Sequence, residues 1–510
     1  MKLIDYWLNK ITMYKLTLYY LVGLIGVAAV LGWFGFLQFS PSDIILSTLI
    51  LVVVCSVANY LLAKMFKAVT NVESVFITAL ILALIIPTKL PMNLGFLVVV
   101  GVLAMAAKYL LTIEKRHIFN PVAVSVVAIS LLSPQHAATW WIGTPLMLPF
   151  VVVGGFLLLR KLQRWNMVLI FLATYLLIIG AGSFLVNGSF LPVVSLWQKS
   201  ILYSAVFFFS FVMLTEPLTS PSTQRQRGYY SVVTALFFAT PQLRFIAIGL
   251  TPEMALCLGN IFAYLISPNY RLNLVLASKI QLSADTFLFG FKKPIDFNFT
   301  PGQYMEWTLP HKKPDSRGNR RYFSISSSPT ENEISMTVKF YDKASSYKSE
   351  LFNLQSSKQV VAAQVAGDFV LPKNLKTPLA LIAGGVGIAP FRSMIQYIID
   401  KNLQTNIVLL YTNRTKADIL FSDIFKRAEI NGVKTIYNLT DAQNVPADWQ
   451  GSTGYITAEK IQGLIPDYKA RFYYLSGPQL MVQNFEDALL KAEIAKKQIK
   501  TDFFPGYNEK

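Results

Sequence analysis

With 510 residues the chain is too long for one ordinary domain, and 53% hydrophobic residues with only 15% charged ones depart from the roughly 25% charged residues of an average soluble protein. A net charge of +18 suits a nucleic-acid-binding protein, but no basic face with interleaved aromatic residues accompanies it, so we expect no nucleic-acid partner. The two cysteines, Cys55 and Cys257, are too few for an iron–sulfur cluster or a C-x-x-C metal site, and we expect no metal.

The first 270 residues are a series of long apolar runs separated by short basic or turn-rich loops. About ten of these runs, between residues 16 and 268, approach the ~20 apolar residues that a membrane-spanning helix needs. Because cytoplasmic loops accumulate Lys and Arg, the basic loops place both the N-terminus and the segment after residue 270 in the cytoplasm. We therefore predict a polytopic α-helical domain over residues 1–270 that lies in the cell (inner) membrane and contacts lipid.

Two polar clusters interrupt this apolar background, at residues 117–121 (HIFNP) and 215–223 (TEPLTSPST). Asn, Ser, Thr and Pro often cap or begin helices, and capping explains the first cluster as well as a binding function does. The second cluster places an acid and several hydroxyls close to two arginines, which suits the ring edge or phosphate of a flavin at the membrane boundary. The candidate ligands of such a flavin are Asn120, Glu216 and Thr219.

The segments FNPVAVSVV (119–127) and MLTEPLTSPSTQRQRG (213–228) resemble the D-type membrane component of Rnf electron-transport complexes and its relative, the B-type component of the sodium-pumping NADH:quinone oxidoreductase. The likeness covers residues 1–268. Members of that family carry a flavin phosphate esterified to a threonine on the outer side. The outer segment 183–195 has no threonine, so we expect a noncovalent FMN or riboflavin rather than a covalent one.

The second half of the chain reads as a soluble protein with regular charges and turns. From residue 272, short runs in which apolar and polar residues alternate are separated by turn residues. This pattern predicts an antiparallel β-barrel over residues 271–375. From residue 377 the rhythm becomes strand, glycine turn, helix and strand, which predicts an α/β domain with a parallel sheet over residues 376–510.

Three short motifs in this half carry chemistry, at residues 321–324 (RYFS), 384–390 (GGVGIAP) and 476–478 (SGP). An arginine can bind a pyrophosphate in bidentate fashion. A glycine turn that opens a helix lets backbone amides approach phosphates. A turn at the carboxyl edge of a parallel sheet lies where ligands bind. Each motif taken alone is also common as plain structure.

The order and spacing of these three motifs resemble those of the ferredoxin–NADP reductase superfamily, and the likeness covers residues 272–510. The likeness implies Arg321 at the FAD pyrophosphate, Phe323 stacked on the isoalloxazine and Ser324 at its N5 atom. It also implies Ser476 beside the nicotinamide, where the family has cysteine. The FAD and nucleotide ligands that it implies are Arg321, Tyr322, Phe323, Ser324, Ser345, Ser346, Lys348, Gly384, Gly385, Val386, Gly387, Pro390, Ser476, Gly477, Pro478, Asp502 and Phe503, with Ser324, Phe323 and Ser476 as the catalytic residues.

We therefore predict an NAD(P)H oxidoreductase that passes electrons from cytoplasmic NAD(P)H through FAD to a membrane flavin, and then to a quinone or an extracytoplasmic flavoprotein. Arg414 or Lys416, after the second strand of the nucleotide domain, could bind a 2′-phosphate, or could be solvated loop charges. The choice between NADH and NADPH stays open.

Two other functions compete with this prediction. A ferric-reductase or NADPH-oxidase-like enzyme needs four histidines in the bilayer for two haems, but the first half offers only His117 and His136, roughly 28 Å apart along a helix. A transporter or anchor fused to a reductase should show charged residues within the membrane, and acids in the middle of apolar runs are nearly absent. Both alternatives are less consistent with the sequence.

Overall fold

The computed structural model divides into two units by its internal contacts, Met1–Asn269 and Tyr270–Lys510. The first unit is helical, and the second contains two six-stranded β-sheets. The structure describes all residues except 1–3, 5–6, 9–10, 67–70, 87–93, 114–115, 134–137, 244–249, 268–270, 313, 316, 343, 357, 442 and 503–510.

The apolar runs of the first unit form helices. A π-helical turn, Phe209–Met213, continues the short ninth helix, and a two-residue ladder of β1 (Thr112–Ile113) and β2 (Arg116–His117) separates the fourth from the fifth. The helices are α1 (Met13–Trp33), α2 (Pro41–Met65), α3 (Val72–Ile85), α4 (Leu94–Leu110), α5 (Pro121–Leu132), α6 (Leu148–Leu162), α7 (Trp165–Asn187), α8 (Leu191–Leu202), α9 (Val206–Phe208), α10 (Gln224–Ala239) and α11 (Pro252–Ile266).

Three of these helices begin in the same way, with a polar capping residue followed by proline. The side chains of Ser40, Asn120 and Thr251 each accept a hydrogen bond from a backbone amide in the first turn of α2, α5 and α11. Proline is tolerated at the next position because the first helical amides have no partner within the helix. Local sequence therefore sets where these helices start.

Three described helices, α1, α2 and α7, are long and apolar enough to cross a membrane. A fourth span is possible if α8 and the segment Val206–Met213, which meet at a bend of 63°, are taken together. The ten predicted spans are not shown among the described residues. Helices α3, α4, α5 and α11 are apolar but only 12 to 17 residues long.

The second unit begins with an antiparallel sheet of order β6-β5-β8-β3-β4-β7. Its core contains Phe289, Phe291, Met305, Trp307 and Met336, which are fully buried. The strands are β3 (Arg271–Gln281), β4 (Thr286–Lys292), β5 (Tyr304–Thr308), β6 (Arg320–Ser324), β7 (Glu333–Lys339) and β8 (Gln359–Ala366), with helix α12 (Ser346–Phe352) before β8.

The predicted closed barrel is not found in the described part of this sheet, since β6 and β7 remain its two edges. They approach each other only beyond the end of β6. There the Ser326 amide donates to the Ser335 carbonyl at 2.7 Å, and the Ser335 amide donates to the Ser327 hydroxyl at 2.9 Å. Strand β6 is five residues long, too short to form a full ladder with β7.

The second sheet is parallel, as predicted, with the order β12-β11-β10-β9-β13-β14. The chain moves outward from β9 to β12 and then returns to the other side of β9 to form β13 and β14. Its elements are β9 (Leu379–Gly384), α13 (Ala389–Asp400), β10 (Ile407–Asn413), α14 (Ser422–Arg427), β11 (Val433–Leu439), β12 (Ser452–Thr453), α15 (Ala458–Leu464), β13 (Phe472–Ser476), α16 (Gln479–Lys491) and β14 (Ile499–Asp502).

This strand order places a topological switch point between β9 and β13. In open α/β sheets, a crevice forms at the carboxyl ends of two neighbouring strands when the loops after those strands run in opposite directions. The glycine-rich turn follows β9 and the Ser-Gly-Pro turn follows β13. The fold therefore brings these two motifs, which are about ninety residues apart in sequence, to one edge of the sheet.

Candidate active site

The glycine turn and the Ser-Gly-Pro turn are in direct contact. Ser476, the last residue of β13, is in register with Ala383 of β9. A Cβ atom added to Gly387 would lie 2.4 Å from the Ser476 carbonyl oxygen, and one added to Gly384 would lie 2.1 Å from the sulfur of Met481. Glycine is required at position 387, where the Cβ atom would overlap the backbone of the Ser-Gly-Pro turn, whereas at Gly384 the neighbour is the flexible end of the Met481 side chain.

Gly385 has a different role from the other two glycines. Its φ of +51° lies in the left-handed region, and a Cβ atom built on it would meet no heavy atom within 4 Å. The turn that it opens, residues 385–388, includes Val386 and leads directly into α13, with Pro390 in the first helical turn. An open glycine turn at a helix N-terminus fits a dinucleotide pyrophosphate, because backbone amides and the helix dipole both favour an anion there.

Ser324, Asp502 and Ser476 form a connected group. Asp502, at the end of β14, is in register with Ser476 of β13. The Ser324 side chain at the end of β6 interacts with the Asp502 carboxyl group. Ser324 and Ser476 are buried. The end of the antiparallel-sheet motif therefore affects a carboxyl group that lies beside the nucleotide turns.

Burial raises the pKa of Asp502 to about 7, and the hydrogen bond from Ser324 opposes this rise only in part. A carboxyl group transferred from water to a less polar environment favours its neutral form. At neutral pH the group is therefore close to half protonated, so it can both accept and donate a proton. Phe503, its predicted neighbour at the cofactor, lies outside the described residues.

Arg321 and Phe323 lie on one face of β6, next to Tyr347 of α12. The Arg321 guanidinium carbon is 5.0 Å from the centre of the Tyr347 ring, and the Phe323 ring centre is 6.2 Å from it. Tyr347 is fully buried, and its hydroxyl has no hydrogen-bond partner among the described residues. A buried hydroxyl beside a guanidinium suits a polar ligand, and the FAD pyrophosphate predicted here would supply one.

Tyr322 does not join this face. Side chains alternate along a strand, so Tyr322 lies on the other side of the sheet, where its hydroxyl donates to Glu306 at 2.7 Å and to Gln364 at 3.2 Å. Its predicted contact with the cofactor therefore does not lie on the face that carries Arg321 and Phe323.

The predicted phosphate segment forms the start of α12. Ser345 caps this helix by accepting a hydrogen bond from the Lys348 amide, and Ser346 hydrogen-bonds His311 at 3.0 Å. Asp315 accepts from the Ser346 amide at 3.2 Å and pairs with Arg321 at 3.5 Å. An acid therefore already contacts the groups expected to hold the FAD phosphates.

Two contacts fix the first sheet to the nucleotide domain. Arg392, on α13, binds both carboxylate oxygens of Glu331 and donates to the Ser326 carbonyl at 3.2 Å. The neighbouring Ser393 hydroxyl donates to the Ser327 carbonyl at 2.6 Å. The loop that follows Ser324 is thereby held against the helix that follows the glycine turn.

The first unit contains a separate polar cluster, which brings together the three residues predicted to hold a membrane flavin. The Asn120 side-chain amide donates to Glu216 at 2.8 Å, and the Thr219 hydroxyl donates to the same carboxylate oxygen at 3.1 Å. Asn260 of α11 accepts from the Asn120 backbone amide at 2.9 Å and donates to the Tyr230 hydroxyl at 3.2 Å. We name these five residues the membrane polar cluster.

The membrane polar cluster is largely buried: Asn120, Thr219, Tyr230 and Asn260 are each at most 5% exposed. Arg164 supports the same segment by donating to the Thr215 carbonyl at 3.1 Å and to the Ser220 hydroxyl. A carboxylate, two amides and two hydroxyls are the donors and acceptors that a flavin ring edge can use, and in this structure they hydrogen-bond one another.

Comparison with known proteins assigns the second unit. Residues 381–487 match the oxidoreductase NAD-binding domain family. The chain is 30% identical over 219 residues to the glycine betaine monooxygenase reductase subunit of Chromohalobacter salexigens, covering 41% of this chain and 58% of that protein. It is 29% identical over 204 residues to NADH-cytochrome b5 reductase 1 of Laccaria bicolor, covering 38% and 63%.

The second unit, which we call the module, therefore contains a match to an oxidoreductase NAD-binding domain and is similar to reductase proteins. Among solved structures, the cytochrome b5 reductase domain of Ulva prolifera nitrate reductase is 20% identical and covers 46% of this chain and 97% of that one, with a TM-score of 0.41. The chain spans about three-fifths of the length of the first curated relatives that it matches.

Several residues of these sites were not predicted from the sequence. Asn260 and Tyr230 complete the membrane polar cluster, and Arg392 with Glu331 fixes the two parts of the module. The only sequence signal for Asn260 is one amide within an apolar helix, and for Arg392 one cation within the apolar face of α13.

Proposed function

We propose that the chain is a membrane-bound NAD(P)H oxidoreductase that transfers electrons from cytoplasmic NAD(P)H to an acceptor in or across the membrane. One observation carries the proposal: Arg392 of α13, the helix that follows the glycine turn, binds Glu331 and the Ser326 carbonyl and so holds the loop after β6 against that helix. This contact supports the proposal because it brings the predicted flavin-binding strand and the predicted nucleotide-binding turn to one place.

The residues of the module have distinct tasks in this proposal. Arg321, Ser345 and Ser346 hold the FAD phosphates, and residues 384–387 hold the nucleotide pyrophosphate. FAD, when bound, accepts a hydride and gives up electrons one or two at a time. Ser324 and Asp502 hold a proton at the buried junction of the two domains, where a pKa of about 7 permits transfer in either direction.

The electrons leave the module toward the first unit. We propose that a noncovalent FMN or riboflavin binds at the membrane polar cluster, because a bilayer core of about 30 Å is too thick for one electron hop. Asn120, Glu216 and Thr219 would hold this second flavin. The final acceptor would be a quinone or an extracytoplasmic flavoprotein, and the three long apolar helices support membrane attachment.

The decisive experiment uses the full-length protein purified in detergent. Flavins are extracted and identified by mass, and the absorbance of the flavin is followed after addition of NADH or NADPH. We expect FAD together with a second flavin, and bleaching by reduced nicotinamide. A colourless protein, or a haem Soret band, would refute the proposal. Quinone reduction is then measured in liposomes with several quinones as acceptors.

Two variants separate the two flavin sites. Arg321→Ala should empty the FAD site and abolish bleaching, while Lys358→Ala, which breaks an exposed ion pair with Glu350 in the same domain, should not. Glu216→Gln should lower the content of the second flavin and leave FAD in place. Glu253→Gln is its matched control, because Glu253 is also buried in the first unit but hydrogen-bonds Trp140 instead.

A further inference from the structure

His311 joins the loop between β5 and β6 to Ser346 of α12. Its Nδ1 atom lies 2.8 Å from the Leu309 carbonyl oxygen, and its Nε2 atom lies 3.0 Å from the Ser346 hydroxyl oxygen. The Ser346 hydroxyl also accepts a hydrogen bond from the Asp315 amide at 2.8 Å. Because Ser346 holds an FAD phosphate in the proposed function, His311 is one hydrogen bond away from the proposed phosphate site.

The positions of the hydrogen atoms follow from the partners of His311. A carbonyl oxygen only accepts, so in the neutral ring Nδ1 carries the hydrogen and Nε2 is the acceptor. The Ser346 hydroxyl must then donate its single hydrogen to Nε2. While His311 is neutral, this hydroxyl therefore has no hydrogen to offer to a phosphate.

Protonation of His311 reverses this bond. Both nitrogens of an imidazolium donate, so Nε2 then donates to the Ser346 hydroxyl oxygen, and the hydroxyl hydrogen must turn to another acceptor. The Asp315 carboxylate is already occupied, since it accepts from the Ser346 and Arg317 amides at 3.2 and 2.9 Å. The Arg317 and Arg321 guanidinium groups lie 3.3 and 3.5 Å from it. These donors fill the roughly four lone-pair positions of a carboxylate, so the hydroxyl becomes available to a phosphate oxygen of FAD.

The other charged groups of this region belong to residue types that titrate outside the range of histidine. Among the described residues of the loop, β6, the segment before α12 and the start of α12, they are Lys312, Asp315, Arg317, Arg321, Asp342 and Lys348. Lysine, arginine and aspartate ordinarily keep their charge between about pH 5 and 8, whereas histidine changes its charge there. Burial alone would raise the pKa of Asp315, but the hydrogen bond from the Arg317 amide and the charges of Arg317 and Arg321 outweigh it and lower this pKa. Residues 270–510 contain one histidine, His311, and no cysteine.

We propose that His311 is a positioning residue that makes FAD binding depend on pH. The protonated ring releases the Ser346 hydroxyl to an FAD phosphate and adds a positive charge beside it. FAD should therefore bind more tightly in mild acid than in mild base. This inference rests on the proposed function, which assigns Ser346 and Arg321 to the FAD phosphates.

The test measures the FAD dissociation constant of the full-length protein in detergent, from the FAD released on dilution, between about pH 5.5 and about pH 8. Released FAD is separated by filtration and quantified by chromatography, so that a second flavin does not contribute. One added charge about 7 Å from a phosphate changes its binding by roughly three- to fiftyfold between the dielectric of water and that of a protein surface. We therefore expect the dissociation constant to be about tenfold lower at the acid end of this range than at the basic end.

Three variants assign the pH dependence to its source. His311→Gln keeps a donor and an acceptor but cannot become charged, so its FAD dissociation constant should stay near the basic-end value of the parent and no longer fall in acid. Asp502→Asn removes the other group of the module that titrates in this range, with a pKa of about 7, and should keep the pH dependence. Lys469→Gln removes a positive charge from an exposed ion pair with Glu493 and controls for overall charge, so it should also keep the pH dependence.

FAD binding that is equally tight at every pH in the parent protein would overturn the inference. So would a His311→Gln variant that retains the parent's pH dependence, or an Asp502→Asn variant that loses it. A parent protein that holds no FAD at any pH would instead refute the proposed function.

Discussion

The Arg392–Glu331 ion pair gives the sharpest test of how the module positions its two ligands. The pair is bidentate, with one contact of 2.8 Å, and Arg392 also donates to the Ser326 carbonyl. The Arg392 side chain is 10% exposed and that of Glu331 is 29% exposed. Replacing Glu331 by Gln therefore leaves a largely buried guanidinium without its counter-ion.

The magnitude follows from this burial. Breaking a fully buried pair costs about 3–5 kcal/mol, and breaking an exposed pair costs about 0–1 kcal/mol. With one partner nearly buried and the other partly exposed, we expect Glu331→Gln to destabilise the module by about 2 kcal/mol. The hydride-transfer rate should fall by about ten- to a hundredfold, because this loop follows Ser324 directly and small misplacements of reacting groups are costly.

Two measurements on the full-length variant check this reasoning. Unfolding of the module is followed by the release of FAD fluorescence on heating, and FAD reduction by NADH is followed by stopped-flow absorbance with FAD bound. The control Glu493→Gln should change neither quantity by more than a small amount, since both partners of that pair are at least 60% exposed. Unchanged stability together with an unchanged reduction rate in Glu331→Gln would refute the positioning role.

Further predictions concern the glycine turn and Asp502. Gly387→Ala should destabilise the module by about 1–3 kcal/mol, because the new methyl group overlaps the Ser476 carbonyl. Gly463→Ala is the control in the same melting experiment. This residue lies on α15 with no atom near its Cβ position, so the variant should stabilise the module by about 0.5–1 kcal/mol. The pKa of Asp502 is raised above its unfolded value of 3.8, so this group should make the protein less stable as pH rises from about 4 to about 7, and level thereafter. Asp502→Asn should remove that slope and shift the pH profile of flavin reduction, which is otherwise centred near the Asp502 pKa of about 7; an unaltered profile would exclude a role for this proton.

The parts of the fold that depend on local sequence could be predicted. The strand before Gly384, the glycine turn and α13 follow from residues that are adjacent in the chain, and the parallel sheet follows from their repetition. Closure of the antiparallel sheet could not be predicted, because it depends on whether β6 and β7 pair, and these strands are joined by no tight turn. Of the predicted spans, three are long and apolar enough among the described helices and the others are not shown, because apolar content predicts a helix but not its length.

In the candidate site, too, the residues that belong to local motifs could be predicted, and those that depend on distant partners could not. Arg321, Gly385 and Ser476 are recognisable because their backbone neighbours form motifs. Asn260 and Arg392 are not, because each acquires its role from a partner more than sixty residues away in sequence. Tyr322 illustrates a further point: membership in a motif did not give its side-chain direction, which the alternation of β6 decides.

The strand order of the second sheet has a consequence for synthesis. Strand β13, which pairs with β9, and strand β14, which pairs with β13, are synthesised about a hundred residues after β9. The sheet edge that carries Ser476 and Asp502 forms only after that. A nascent chain has therefore already released its entire helical unit from the ribosome before the nucleotide crevice is complete. A chain that stops before β13 therefore lacks one wall of this crevice.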